Sequence, residues 1–337
     1  MKSKRDIVLL VALLITVVLL LFLNVGFVGA EIPFSDVLSI LGGESNVENS
    51  SWTYIVEHRL LRSIVAISAG GALAISGLIL QVFFRNPLAG PGVLGISSGA
   101  SLGVAAVIMG GFARQGTDHA NMTVLAGIAG ACGALFVLLF ISRFVKNQLT
   151  LLVVGLMLGY FVSALVNIMF LSADQAETRE YVLWGLGSFA DVKRTEILTF
   201  VVLMCSGLLT SMFMSKGLNA LVLGSDYAKS LGINTKLLRV GIIIVTSVLA
   251  AGVTVYCGPI SFIGIAVPQL IRLISKSSNH VWIIPLCFLG GGFLGISSDV
   301  IVRFSDNSLP LNTVTALIGA PIIIWTIIKM NKSFASI

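Results

Sequence analysis

The chain has 337 residues, 56% of them hydrophobic and only 11% charged, where a soluble domain carries about 25% charged residues; an ordinary water-soluble globule is excluded. The net charge of +6 comes from 21 Lys and Arg against 15 Asp and Glu, spread between apolar runs rather than gathered into a stripe, which excludes nucleic acid as a partner. The four cysteines, Cys132, Cys205, Cys257 and Cys287, include no Cys-x-x-Cys pair and are read as small apolar residues, not as a zinc site or a disulfide framework.

Ten apolar segments follow one another, at about 6–27, 58–82, 93–112, 121–142, 149–172, 194–214, 237–257, 260–275, 281–302 and 310–329. A membrane-crossing helix needs about 20 apolar residues, and backbone groups in lipid must be bonded within their own segment. The expected fold is therefore all-α integral membrane, with about ten transmembrane helices in a single domain, 1–337.

The first segment follows Lys2, Lys4 and Arg5, and Val28-Gly29-Ala30 resembles a signal cleavage site. Its apolar run exceeds the usual 7–15 residues of a secretory signal, so a retained helix is expected. With the N-terminus inside and ten alternating spans, Lys2, Lys4, Arg5, Arg85, Arg143, Lys146, Lys216, Lys229, Lys236, Arg239, Arg272, Lys276, Lys329 and Lys332 fall on the cytoplasmic side. Arg59, Arg62, Arg114, Arg179, Lys193, Arg194 and Arg303 fall outside. That bias places both termini in the cytoplasm.

Gly95, Gly99 and Gly103 recur every four residues, and Gly155/Gly159 and Gly291/Gly295 repeat the spacing. Small residues at this interval let helices approach closely in lipid. Leu94-Gly95-Ile96-Ser97-Ser98 returns as Leu294-Gly295-Ile296-Ser297-Ser298, a short echo of the kind that repeated transporter halves leave. Tyr181 to Asp191 reads as a short amphipathic helix at the outer interface.

The longest cytoplasmic loop, 215–236, carries Leu223-Gly224-Ser225-Asp226-Tyr227-Ala228-Lys229-Ser230-Leu231-Gly232. Gly224 and Gly232 permit left-handed geometry and bracket a short helix suited to docking in a partner's groove. A plain connector is the alternative.

No Gly-x-x-x-x-Gly-Lys-Ser/Thr loop occurs, so this chain is not expected to bind ATP phosphates itself. No nucleophile–base or metal-ligand pattern is visible, and the three histidines, His58, His119 and His280, stand near segment edges. Neither a catalytic nor a metal site is expected, and the chain is not read as an enzyme. The spans also lack the buried carboxylates typical of ion-coupled carriers, which disfavours the alternative of a gradient-driven secondary transporter. Asp299 and Arg303 stand four apart near an outer helix end, the spacing of a local ion pair.

Three stretches are more specific. The first runs Arg59-Leu60-Leu61-Arg62, Ala72 to Gly77, Gln81, Arg85-Asn86-Pro87-Leu88-Ala89-Gly90-Pro91 and Leu94 to Ala100. The second is Leu223-Gly224, Ala228 and Leu231-Gly232. The third is Gly258-Pro259-Ile260-Ser261-Phe262-Ile263-Gly264, Pro268 to Arg272, Asp299, Arg303, Leu309-Pro310 and Thr313 to Pro321. In this order, over nearly the whole chain, they resemble the FecCD-type permeases of iron–siderophore, haem and cobalamin ABC importers. The family often has Asp where Gly90 stands and His where Gln269 stands.

The resemblance implies a cobalamin-permease-like fold in the bacterial inner membrane, working as a homodimer with a second permease copy or as a pseudodimer. Its other implied partners are two cytoplasmic ATPase subunits, an external substrate-binding protein and membrane lipid. ATP and Mg would be bound by the ATPase subunits, leaving this chain without a cofactor. By the same resemblance Leu223, Gly224, Ala228, Leu231 and Gly232 form the ATPase-coupling segment. Arg59, Arg62 and Arg303 receive acidic side chains of the binding protein; lipid phosphates or local pairing with Glu57 and Asp299 are the alternatives. Asn86, Leu88, Gln148 and Leu149 narrow the cytoplasmic exit, and Val153, Leu156, Met157 and Tyr160 line the pathway.

Overall fold

The computed structural model describes residues 2–26, 32–42, 50–110, 119–145 and 147–334. Among them the helices, in chain order, are α1 Lys2–Gly26, α2 Phe34–Leu41, α3 Ser50–Phe84, α4 Ile96–Ile108, α5 His119–Ser142, α6 Gln148–Phe170, α7 Gln175–Gly185, α8 Arg194–Phe213, α9 Ser215–Leu223, α10 Ser225–Ser230, α11 Thr235–Cys257, α12 Ile263–Ser275, α13 His280–Phe304 and α14 Leu311–Phe334. A 3-10 turn, Pro91–Leu94, precedes α4. No strand occurs among the described residues.

All ten apolar segments are helices. Eight (α1, α3, α5, α6, α8, α11, α13 and α14) are long and apolar enough to cross a bilayer. The other two, α4 and α12, are apolar but only 13 residues each, about 20 Å at 1.5 Å per residue. Each starts late, because an irregular stretch leads into it. Gly95 is left-handed, with φ 73°, before α4, and Gly258 and Phe262 take φ 73° and 68° before α12.

Irregular backbone at membrane depth must find partners within the protein, and Asn312 in the first turn of α14 supplies them. Its Oδ1 accepts from Ser261 N at 3.0 Å, and its Nδ2 donates to Pro259 O and, at 3.1 Å, to Gly185 O.

The 35-residue α3 is the axle of the bundle, packing against α13, α11, α12 and α8. At its crossing with α13 the backbones touch. A Cβ on Gly70 would collide with Gly291 O, and one on Gly291 would lie 2.7 Å from the Ala74 Cβ. The glycines of α4 serve its contact with α5 in the same way, with a Cβ on Gly99 falling 2.6 Å from Gly130 O. Gly155 on α6 packs against Val93 and Leu94. Small residues thus do at these contacts what the spacing anticipated. One main core runs from Val65 on α3 to Val314 on α14, and a small outer cluster of Val25, Ile32, Val37 and Val56 ties α2 to α1 and α3.

Two expectations are corrected. The outer amphipathic helix is α7, 175–185, set earlier by a capping box in which Asp174 accepts from Glu177 N and Glu177 accepts from Asp174 N; residues 186–193 are irregular and Phe189 is buried. The pentapeptide echo does not mark equivalent positions: 94–98 turns a corner into α4, while 294–298 lies inside α13.

Candidate coupling surface, mouth and conduit wall

Contacts between distant loops sort the bundle into two ends. At the Lys- and Arg-rich end, Arg5 bonds Ile274 O, Arg85 reaches Leu221 O at 3.4 Å, Arg239 reaches Val145 O at 2.7 Å and Asn219 bonds Asn279 at 3.0 Å. This brings together the α3–α4, α5–α6, α8–α11 and α12–α13 connections at one end, as alternating spans require.

The segment expected to couple to an ATPase is closed at both ends by defined backbone geometry. α10 begins after Gly224, which has φ 132°, a value L side chains rarely adopt. It closes with Ile233 N on Ala228 O at 3.1 Å and Gly232 N on Lys229 O at 2.9 Å, with Gly232 at φ 78°. That paired closure around a left-handed glycine is a Schellman motif. Asn234 Oδ1 then accepts from Leu237 N at 3.0 Å and starts α11.

Ala228 is fully buried, whereas Val222, Leu223, Tyr227 and Leu231 stand 48–66% exposed. Exposed large apolar side chains grouped on one short segment are the kind of feature a partner can cover. Lys229 Nζ bonds Asp226 Oδ1 at 2.9 Å, and this hydrogen bond and charge hold the Asp226 carboxyl below the usual carboxylate range.

Basic cavities flank the patch. One, of 780 Å³, is lined by Arg143, Lys229, Lys236 and Arg239 together with Asn147 and Gln148. The other, of 540 Å³, has Arg85, Arg272 and Lys276 on its wall.

The two loops expected at the cytoplasmic mouth share one local device. Asn86 Oδ1 accepts from Leu88 N at 2.9 Å, and Asn147 Oδ1 accepts from Leu149 N at 2.8 Å. In each, an asparagine bonding two residues onward fixes a turn that presents a leucine to the exterior, Leu88 47% and Leu149 57% exposed. Gln148 is half-buried against the larger basic cavity.

On α6, Val153, Met157 and Tyr160 lie on one exposed stripe that continues through Ala164 and Asn167. Leu151, Gly155, Val162 and Val166 form the buried side, and Leu156 sits half-buried at the stripe's edge. α14 offers a matching uncovered face, a shallow trough of Thr313, Ala316, Leu317, Ala320, Pro321 and Ile324.

At the outer end the three arginines do not face outward as free forks. Arg59 is 4% exposed and donates to Val25 O at 3.1 Å. Arg62 Nε pairs with Asp299 Oδ1 at 2.6 Å, and its Nη1 reaches Asn307 Oδ1 at 3.1 Å. Arg303 Nη1 donates to both the backbone O and Oδ1 of Asn24 at 2.7 Å, and Asn24 Nδ2 bonds Asp299 Oδ2 at 3.0 Å. These hydrogen bonds join α1, α3 and α13, as the local-pairing alternative at Asp299 anticipates, and they leave Arg62 and Arg303 partly exposed at this end. Glu57 pairs instead with Arg194.

Sequence reading missed Asn24, Asn219 and Asn312. The available signal was an amide inside or beside an apolar run, which must find a partner when buried. His280 is buried, its Nδ1 2.7 Å from Asn219 Oδ1. His119 lies outside the residues whose side chains are described. Among the described residues no group of three or more His, Cys, Asp or Glu is placed to hold a metal. Burial raises the Tyr181 phenol above its ordinary range at the outer interface.

The chain matches the FecCD transport family over residues 13–329. It is 29% identical over 291 residues to the hemin transport permease HmuU of Yersinia pestis, covering 86% of this chain and 87% of that one. It is 32% identical over 308 residues to the vitamin B12 import permease BtuC of Salmonella typhi, covering 88% and 92%. Its fold superposes on a metal-chelate-type ABC transporter in an inward-facing conformation, with TM-score 0.82, 27% identity and coverage of 98% and 100%. The chain belongs to the FecCD transport family.

Proposed function

We propose that this chain is the membrane-spanning subunit of an ABC importer that carries a bulky metal chelate inward, an iron–siderophore, haem or cobalamin. Two copies face each other across the uncovered faces of α6 and α14, so that Val153, Met157 and Tyr160 line a weakly adhesive conduit. Leu156 contributes from its edge. Such a wall suits cargo that must leave as readily as it enters. Leu88 and Leu149, set by Asn86 and by the α6 start at Gln148, narrow the exit. ATP and Mg are held by two ATPase subunits, and this chain contributes no cofactor.

The observation that carries the reading is the set of exposed apolar side chains Val222, Leu223, Tyr227 and Leu231 at the end of α9 and along α10, the short helix bracketed by Gly224 and Gly232. A membrane protein gains nothing from holding such a patch in water unless a partner covers it. An external binding protein docks at the other end, where Arg59, Arg62 and Arg303 gather beside Asp299. Hemin and vitamin B12 are named for the relatives, and the apolar wall here accommodates either class.

The experiment is co-purification. The chain and its ATPase subunits are expressed together, with and without the double substitution Leu223→Ser and Leu231→Ser. The unchanged chain retains the ATPase and the double variant loses it. Equal retention by both would remove the assignment.

A further inference from the structure

At the inner end a run of hydrogen bonds crosses from the coupling segment to α14. Arg85 closes α3 with φ 48°, and its Nη2 donates to Leu221 O at 3.4 Å in the last turn of α9. Two residues on, Pro87 O accepts from Gln269 Nε2 on α12. The opposite end of the same carboxamide, Gln269 Oε1, lies 3.1 Å from Thr326 Oγ1 on α14 and shares that hydroxyl's one proton with Ile323 O, 2.8 Å away. Gln269 and Thr326 are 3% and 0% exposed.

A buried amide satisfied at both ends cannot release one partner without stranding a polar group away from water. The mouth loop and α14 are therefore tied through one side chain. α14 packs chiefly on α12 and α13 and leaves its other face uncovered, so among the described residues this joint is one of the few polar restraints on the inner half of that helix.

We propose that Gln269 is a positioning residue that makes a displacement of segment 221–233 felt at α14, by way of Arg85 and the Pro87 carbonyl. The inference rests on the reading that an ATPase docks on that segment. It adds a route by which docking reshapes the conduit wall.

The test is hydrogen–deuterium exchange on the permease–ATPase complex in lipid nanodiscs, nucleotide-free and trapped with MgATP and vanadate. In the unchanged chain, trapping alters exchange at 221–233, at 85–90 and at 322–329. In Gln269→Leu the first two responses persist, ATP hydrolysis continues and the response at 322–329 is lost. Gln269→His restores it, because one ring nitrogen donates while the other accepts. Thr326→Val, nearly isosteric, silences 322–329 and leaves 85–90 responsive; it decides the matter if Gln269→Leu fails to fold. A response at 322–329 that survives in Thr326→Val, or in a folded Gln269→Leu, overturns the proposal. If the unchanged chain binds no ATPase, or responds nowhere, the docking reading fails and this inference falls with it.

Discussion

Asp299 is the carboxylate at the centre of the outer rivet, and its removal should be among the costlier single changes in this chain. Its side chain is 1% exposed, Arg62 Nε lies 2.6 Å from one oxygen and Asn24 Nδ2 3.0 Å from the other. Asp299→Ala leaves the Arg62 guanidinium facing an apolar methyl, beside Arg59 and Arg303 and without the compensating charge. One-sided loss of a buried ion pair costs about 3–5 kcal/mol. Asp299→Asn keeps the shape and one acceptor and should cost less, on the order of 1–3 kcal/mol. Removing both partners in Arg62→Leu with Asp299→Leu leaves no unpaired member of this pair and should be better tolerated than Asp299→Ala alone. The assay is reversible denaturation in mixed micelles, read by tryptophan fluorescence. An Asp299→Ala protein within about 0.5 kcal/mol of the parent, the range of an ordinary surface change, would refute the rivet.

Three further outcomes follow from the geometry. Ala228→Pro removes the N–H that bonds Gly224 O at 2.9 Å and should cost α10 about 3 kcal/mol, abolishing stimulation of the ATPase while the spans stay folded; retained stimulation would show that α10 is a mere connector. Gly77→Ala drives a Cβ into Gly264 O and within 2.9 Å of its Cα, so α3 and α12 must separate and the melting temperature should fall, as a parent-like melt would contradict. Lys229→Ala should let the Asp226 carboxyl rise toward its ordinary value near pH 3.9. In the parent the depressed carboxyl contributes stability above that ordinary value and loses it as pH falls through its lower, folded value, so a carbonyl NMR titration that does not move in Lys229→Ala would rule out the pair.

Much of the fold is legible in the sequence, because lipid permits so few backbone solutions: every apolar run of sufficient length became a helix. The late starts of α4 and α12 come from left-handed residues at Gly95 and Phe262, and Phe262 gives no compositional warning. The α7 boundary was legible in Asp174-x-x-Glu177, a capping signature that the amphipathic pattern further on obscured. The short helix α10 could be read because glycine marks both of its bends.

The outer cluster could not be read. Its decisive pairs join Arg62 to Asp299 and Asn24 to Asp299 across most of the chain, whereas sequence offers only neighbours such as Arg303. The facing of α6 was equally hidden, since lipid, a second copy and a conduit all tolerate the same apolar side chains.

The most direct measurement of the central claim is uptake into proteoliposomes holding this chain, with and without its ATPase subunits and binding protein. Haemin, cyanocobalamin and a ferric siderophore serve as cargo probes. The account predicts accumulation of at least one probe only when the ATPase is present and MgATP is supplied on its side. Uptake by the chain alone, driven by an ion gradient and indifferent to ATP, would contradict it.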